Sequence, residues 1–266
     1  METRRIGTLD VPVIGMGTSG TFEVDDDELA SRAAIVDAAL DAGCTLFDSS
    51  PMYKQAEHIL SEALATRRGE ALIATKVWTA DDEQAQRQIA ASLAFYGGHV
   101  ELFQIHNLVE WPRRLEQLER EMERGTIDAI GATHWQASAF GELETVMSTG
   151  RISFIQIPYN PIEREVEARI LPLAADLGIG VLMMRPFARG GLMRHELSDA
   201  ERTRLEPFGV STWSQALLKW GLSDTRTTAA IPATSKLHRV AENIAAGSGD
   251  LFDADTRAFV AGLANA

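Results

Sequence analysis

The chain has 266 residues, 45% of them hydrophobic and 24% charged, the make-up of an ordinary globule, and a single domain over 1–266 is expected. A formal net charge of -13 and a sequence pI near 4.9 set the bulk field against polyanions, so nucleic acid and anionic membrane are excluded as partners and a small molecule is expected. The single cysteine, Cys44, allows no intrachain disulfide; no apolar h-region follows Arg4 and Arg5, and no run approaches the ~20 apolar residues of a membrane span, so the protein reads as cytoplasmic.

Taken in chain order, residues 4–6 and 10–13 flank a Gly7-Thr8 pair, which predicts a short hairpin. Brief runs rich in Val, Ile, Leu and Phe then alternate with longer amphipathic stretches. The pairs are strand 13–18 with helix 28–41, 45–48 with 56–67, 71–76 with 82–95, 101–106 with 112–124, 127–133 with 136–147, 153–157 with 163–177, 180–185 with 212–220, and 227–231 with 236–246. Gly43, Gly69, Gly97, Gly125, Gly150 and Gly178 fall just after helical stretches, where positive φ is favoured. Eight βα units predict an α/β fold, a (β/α)8 TIM barrel whose closed end the N-terminal hairpin would cap. An open doubly wound sheet is the alternative, but the Gly15–Gly20 turn lacks a matching acidic residue at the end of the second strand with the helix geometry such a sheet uses. The longest interruption, about residues 186–211, is expected to be an active-site loop.

In a barrel the carboxyl ends of the strands face one mouth. Asp48 and Tyr53 follow the second predicted strand, Lys76 ends the third and His106 ends the fourth. Each alone has an ordinary reading, as a cap, a rim aromatic, a solvated strand end or a core histidine. Together they are harder to dismiss, because an apolar strand ending in lysine needs a partner, and Asp48 one strand away supplies it. A phenol with pKa near ~10 is a poor acid at neutral pH, and Lys76 would stabilise its phenolate. Asp48 would hold Lys76, and His106 would polarise a carbonyl by hydrogen bonding. At the other end, Thr234, Ser235, Lys236 and Arg239 surround a predicted helix N-terminus, an expected anion site.

Phe47-Asp48-Ser49-Ser50 with Tyr53 and Glu57, then Thr75-Lys76-Val77, then Gln104-Ile105-His106, resembles the aldo-keto reductase signature and its Asp/Tyr/Lys/His tetrad. The likeness runs from Val13 to Asn243 and implies NADPH-dependent reduction of an aldehyde or ketone by hydride transfer, with Tyr53 as general acid and NADP preferred over NAD. It implies a catalytic set of Asp48, Tyr53, Lys76 and His106. It implies cofactor contacts from Gly17, Thr18, Thr133, His134, Gln156, Met184, Arg185, Thr234, Ser235, Lys236, Arg239, Glu242 and Asn243. His134 departs from the family's usual asparagine, Met184 from a tyrosine that stacks on nicotinamide, and Ala233 from a lysine of some relatives.

Ser19, Trp78 and Trp111 are expected to line the substrate pocket. The short connection after His106 predicts an open, tolerant rim; the substrate is a small carbonyl compound that the sequence leaves unnamed, as it does the oligomeric state. Three other readings stay open. One is a catalytically weak, cofactor-binding barrel acting as a regulatory or redox-sensing subunit. Another is alcohol oxidation by the same residues with Tyr53 as base. The third is a metal-dependent hydrolase, which the lack of any His-x-His pair disfavours, so no metal is expected.

Overall fold

Residues 1–266 are described in a computed structural model. Two short strands, β1 (Thr3–Ile6) and β2 (Leu9–Pro12), pair antiparallel around Gly7, whose φ of +57° makes the tight reversal possible. The chain then runs through eight parallel strands: β3 (Met16–Gly17), β4 (Leu46–Asp48), β5 (Leu72–Val77), β6 (Val100–His106), β7 (Ile127–Thr133), β8 (Phe154–Pro158), β9 (Gly180–Met184) and β10 (Ala229–Ala230). They are hydrogen-bonded in chain order from β3 to β10. Single-residue parallel bridges, Ile14 to Ala230 and Gly17 to Ala233, join the last strand to the first. The result is the (β/α)8 barrel with its N-terminal hairpin.

Helices α1 (Leu29–Asp41), α2 (Ala56–Leu64), α3 (Asp82–Phe95), α4 (Trp111–Glu123), α5 (Phe140–Ser148) and α6 (Ile170–Leu177) connect the successive strands from β3 to β9. Between β9 and β10 lie α7 (Asp199–Leu205) and α8 (Trp213–Leu222), and α9 (Leu237–Ala245) and α10 (Ala254–Ala264) follow the barrel. The sequence anticipates neither α7 nor α10. The expected loop over 186–211 is therefore an irregular segment followed by a capped helix: the Ser198 hydroxyl accepts from the Glu201 N–H, and the Glu201 carboxylate from the Ser198 N–H. Helix α2 is shorter than expected and gives way to a 3-10 turn over Ala65–Glu70.

The core divides in two. Between barrel and helices lies a continuous layer of 60 buried apolar residues. Inside the barrel is a second cluster of ten, in which Ile6 and Val11 of the hairpin meet Leu46, Ala74, Leu102, Ala129, Phe154 and Leu182 of the strands. The hairpin therefore plugs the amino end of the barrel, leaving the carboxyl end for the site. Phe154 sets one residue choice: a Cβ on Gly131 would come within 2.5 Å of its ring, so β7 needs a glycine there.

Candidate active site

At the carboxyl end of β4 and β5, two opposite charges are buried together. The Lys76 ammonium, with no solvent exposure, donates to Asp48 Oδ1 at 2.7 Å, to Asp48 Oδ2 at 2.8 Å and to the Ser49 carbonyl at 2.7 Å. Three acceptors for three ammonium protons satisfy it fully, the condition under which a buried ion pair is tolerable. Asp48 Oδ1 also accepts from Gln104 Nε2 at 3.1 Å, a bond that links β4 to β6 and that the sequence did not signal beyond the motif.

Tyr53, in the turn after β4, stands over this pair: Lys76 Nζ is 5.4 Å from its ring centroid. The sequence argument expected Lys76 to lower the phenol's pKa. Burial is the larger influence and raises it; Lys76 opposes, Asp48 and Glu23 add to the rise, and the Ser19 hydroxyl opposes. The net effect is a rise, so the phenol stays protonated at neutral pH.

The His106 imidazole stands edge-on to Tyr53, with ring centroids 6.1 Å apart. Burial, then Lys76 and His134, push its pKa down to about 3, so it is neutral at physiological pH. Its Nδ1 lies 3.0 Å from the Ser50 hydroxyl, whose oxygen already accepts from the Met52 N–H at 3.2 Å. If the Ser50 hydroxyl donates to Nδ1, the imidazole proton sits on Nε2, which is then open for a donor role. Asn107, next in the chain, takes a left-handed backbone with φ +53° and begins the short turn into α4.

These groups open into a cavity of about 530 Å³. Of the residues singled out in the sequence, Gly17, Ser19, Asp48, Tyr53, His106, Thr133, Gln156, Met184, Arg185 and Arg239 line it, with Lys76 buried below. Trp78 and Trp111 do not. Trp78 is 41% exposed with its ring 6.3 Å from His106, and Trp111 opens α4 and packs on the core, because the turn after His106 is too short to bring it over the mouth. Trp135, Met52, Thr21, Asn107, Arg189 and Met193 line the cavity instead, none of them singled out as a site residue in the sequence. Of these only Trp135, directly after His134 at a strand end, carried a readable signal.

Several expected cofactor residues stand outside the cavity lining. The buried Thr18 hydroxyl bonds to the Asp48 carbonyl and the Ser49 hydroxyl at 3.0 Å each, tying β3 to β4. Thr234 accepts from the Lys236 N–H at 3.1 Å, closing the turn before α9. The Glu242 carboxylate accepts from the Ser214 hydroxyl and anchors α9 on α8, and Asn243 is buried on the same helix. His134 accepts from the Gln136 N–H at 3.1 Å, and burial lowers its pKa. Ser235 and Lys236 are exposed ahead of α9.

Two features fit a nicotinamide dinucleotide. Gln156 is 1% exposed, and its amide Nε2 is buried with no hydrogen-bond partner although the residue lines the cavity, an orphan donor suited to a carboxamide oxygen. After β10, Arg239 lines the cavity from the N-terminal turn of α9, where free amides and Lys236 favour an anion.

The aldo/keto reductase family model matches residues 13–261. Among curated proteins, the aldo-keto reductase YhdN of Bacillus subtilis is 31% identical over 66% of this chain, a match that spans 59% of that protein's length. The aldo-keto reductase str7 of Strobilurus tenacellus is 26% identical over 97% of this chain and 90% of its own. Among solved structures, an aldo-keto reductase of Klebsiella pneumoniae in complex with NADPH superposes with a TM-score of 0.82 at 24% identity, covering 97% of this chain and 93% of that one. The holo form of AKR11C1 from Bacillus halodurans does so with a TM-score of 0.81 at 22% identity, covering 99% and 96%. With the barrel, its hairpin and the match over 13–261, the chain belongs to the aldo/keto reductase family, a family of NAD(P)H-dependent oxidoreductases.

Proposed function

We propose that this protein reduces an aldehyde or ketone to an alcohol with NADPH, and that Tyr53 is the general acid. The observation that carries the proposal is the buried Lys76–Asp48 pair directly beneath a protonated phenol and beside a neutral imidazole, all at the mouth of one cavity.

The cofactor, when bound, supplies the hydride. Gln156 would hold the nicotinamide amide, with Thr133, His134 and Met184 around that end, and Lys236 and Arg239 the 2′-phosphate. The protein's own groups do the rest. His106 Nε2–H donates to the substrate carbonyl oxygen, drawing negative charge onto it. Tyr53 Oη passes its proton to that oxygen as the C–H bond forms, so carbonyl, hydride and proton balance to an alcohol. The phenolate left behind faces Lys76, whose charge stabilises it; Asp48 and the Ser49 carbonyl keep the ammonium from turning away. Burial raises the phenol's pKa and Lys76 limits that rise, a balance that keeps the proton on Tyr53 until the carbonyl oxygen becomes basic enough to take it.

Parallel fluorescence titrations with NADPH and NADH, followed by a turnover screen of aldehydes and dicarbonyls, test the reading. Binding of NADPH with turnover is the expected result. Binding without turnover of any carbonyl would move the assignment to a regulatory cofactor-binding barrel, and absence of binding would show that the departures at His134 and Met184 have closed the site to a dinucleotide.

A further inference from the structure

Two arginines of the segment after β9 converge on one indole. The Arg185 guanidinium lies 4.7 Å from the Trp135 ring centroid and that of Arg189 5.7 Å from it, and all three residues line the cavity. Such stacking holds a guanidinium by its face and leaves its N–H edge for a ligand. Arg185 is 17% exposed, and its nearest acidic neighbour, Glu163, is 3.9 Å away, in ion-pair range but beyond a hydrogen bond. Glu163 is also bonded to Asn160, whose amide donates to the Arg185 carbonyl at 2.9 Å and fixes the turn. Burial, and then the Arg189 charge, hold the guanidinium below its usual pKa, as expected of a cation short of acceptors. The backbone at Arg185 and Arg189 is left-handed, φ +56° at both, a conformation that costs energy in residues other than glycine.

The order of strands shows which end of the cavity this cation serves. Trp135 follows β7 and Arg185 follows β9, so their contact spans the end of β8, where Gln156 and, beyond it, Glu163 lie. Lys236 and Arg239 stand on the other side, past β10. The guanidinium therefore leans away from the end assigned to the adenosine phosphate and across the end of β8, where Gln156 lies. Resemblance alone places Arg185 on the cofactor; its direction argues otherwise.

We propose that Arg185, seated on Trp135 and backed by Arg189, is the subsite for an anionic group of the substrate, so that the preferred substrates are aldehydes or ketones bearing a carboxylate or phosphate. This rests on the reductase reading above and names its substrate class.

The test compares 4-carboxybenzaldehyde with its neutral methyl ester as substrates for the wild type, Arg185→Gln and Arg189→Gln, with NADPH affinity measured alongside. The ratio of kcat/KM for acid over ester is internal to each protein and so is insensitive to a misfolded fraction. It should exceed one in the wild type and fall by about tenfold or more in Arg185→Gln, the effect of losing a charged hydrogen bond, and by less in Arg189→Gln. Benzoate, followed by tryptophan fluorescence, should bind Arg185→Gln correspondingly more weakly. An unchanged ratio with weakened NADPH binding would give the guanidinium to a cofactor phosphate and overturn the proposal. An unchanged ratio with unchanged NADPH binding would make the stack purely structural. If the wild type turns over neither compound, the reductase reading fails, while the benzoate titration still decides whether Arg185 holds an anion.

Discussion

An ammonium with no solvent exposure persists at Lys76 because Asp48 and the Ser49 carbonyl accept all of its protons. Lys76→Met would leave the Asp48 carboxylate buried and held only by Gln104, which should cost about 3–5 kcal/mol, read as a lower denaturation midpoint. Adding Asp48→Asn should restore part of that; a double variant no more stable than the single one would show that the pair is not the cause. Tyr53→Phe removes only the hydroxyl, so turnover should fall by about 10²–10⁴ with NADPH affinity nearly unchanged, and substantial surviving activity would remove Tyr53 as the acid. His106 gives a third expectation. Its pKa is depressed to about 3 from 6.5, so the folded state resists a proton that the unfolded chain accepts; stability is full above pH 6.5 and is lost progressively as pH falls towards 3. His106→Gln should therefore lose less thermal stability than the wild type between pH 6.5 and 4.5, and parallel losses would place the acid sensitivity elsewhere. Asp48, Tyr53, Lys76 and His106 were legible in the sequence because charged or aromatic groups at the ends of apolar strands are rare and the four lie on neighbouring strands. Trp135, two residues past the end of β7, had a readable position but was not singled out, and Arg189 was not legible, since only the path of the backbone after β9 brings the two together.

Helix α8 holds two other segments through one side chain. The Lys219 ammonium donates to the carbonyls of Phe208 at 2.7 Å, Ser248, and Asp250 at 3.2 Å, while the Thr212–Gln215 capping box fixes the start of the helix. Burial lowers the lysine's pKa. Lys219→Met leaves those carbonyls unpaired but also removes a desolvated cation, so the net loss should be roughly 2 kcal/mol, about 4–8 °C in Tm. Amide exchange should accelerate around residues 206–211 and 248–250; an unchanged melting point and exchange pattern would mean that other contacts close these segments. At this scale the alternation of apolar runs with amphipathic stretches revealed every barrel strand and eight helices, but not α7 or α10. Helix α7 has seven residues of which only Leu205 is buried, so apolar periodicity could not announce it, although Ser198 and Glu201 wrote a capping box. Helix α10 follows α9 with no strand between them, outside the βα rhythm that located the others, and its Asp253 cap was the only sign of its start.

The molecule as a whole carries a formal net charge of -13, yet the proposed cofactor is a polyanion. The two fields have different ranges. Repulsion from the net charge acts over tens of ångströms and is largely screened at ~0.1 M salt, where the Debye length is ~10 Å, whereas Lys236 and Arg239 act at contact and are screened less. NADPH association, followed by stopped-flow fluorescence, should therefore accelerate as salt rises from low values to ~0.1 M. With Lys236→Ala and Arg239→Ala together the local attraction is gone, the acceleration should be steeper, and NADPH affinity should fall by at least about tenfold while NADH affinity changes little, because only NADPH carries the 2′-phosphate. Equal weakening of both cofactors would show that the 2′-phosphate lies elsewhere than at the start of α9. Wild-type association that slows steeply with salt would mean that the basic mouth, with Arg185 and Arg189 contributing, outweighs the bulk charge even at long range.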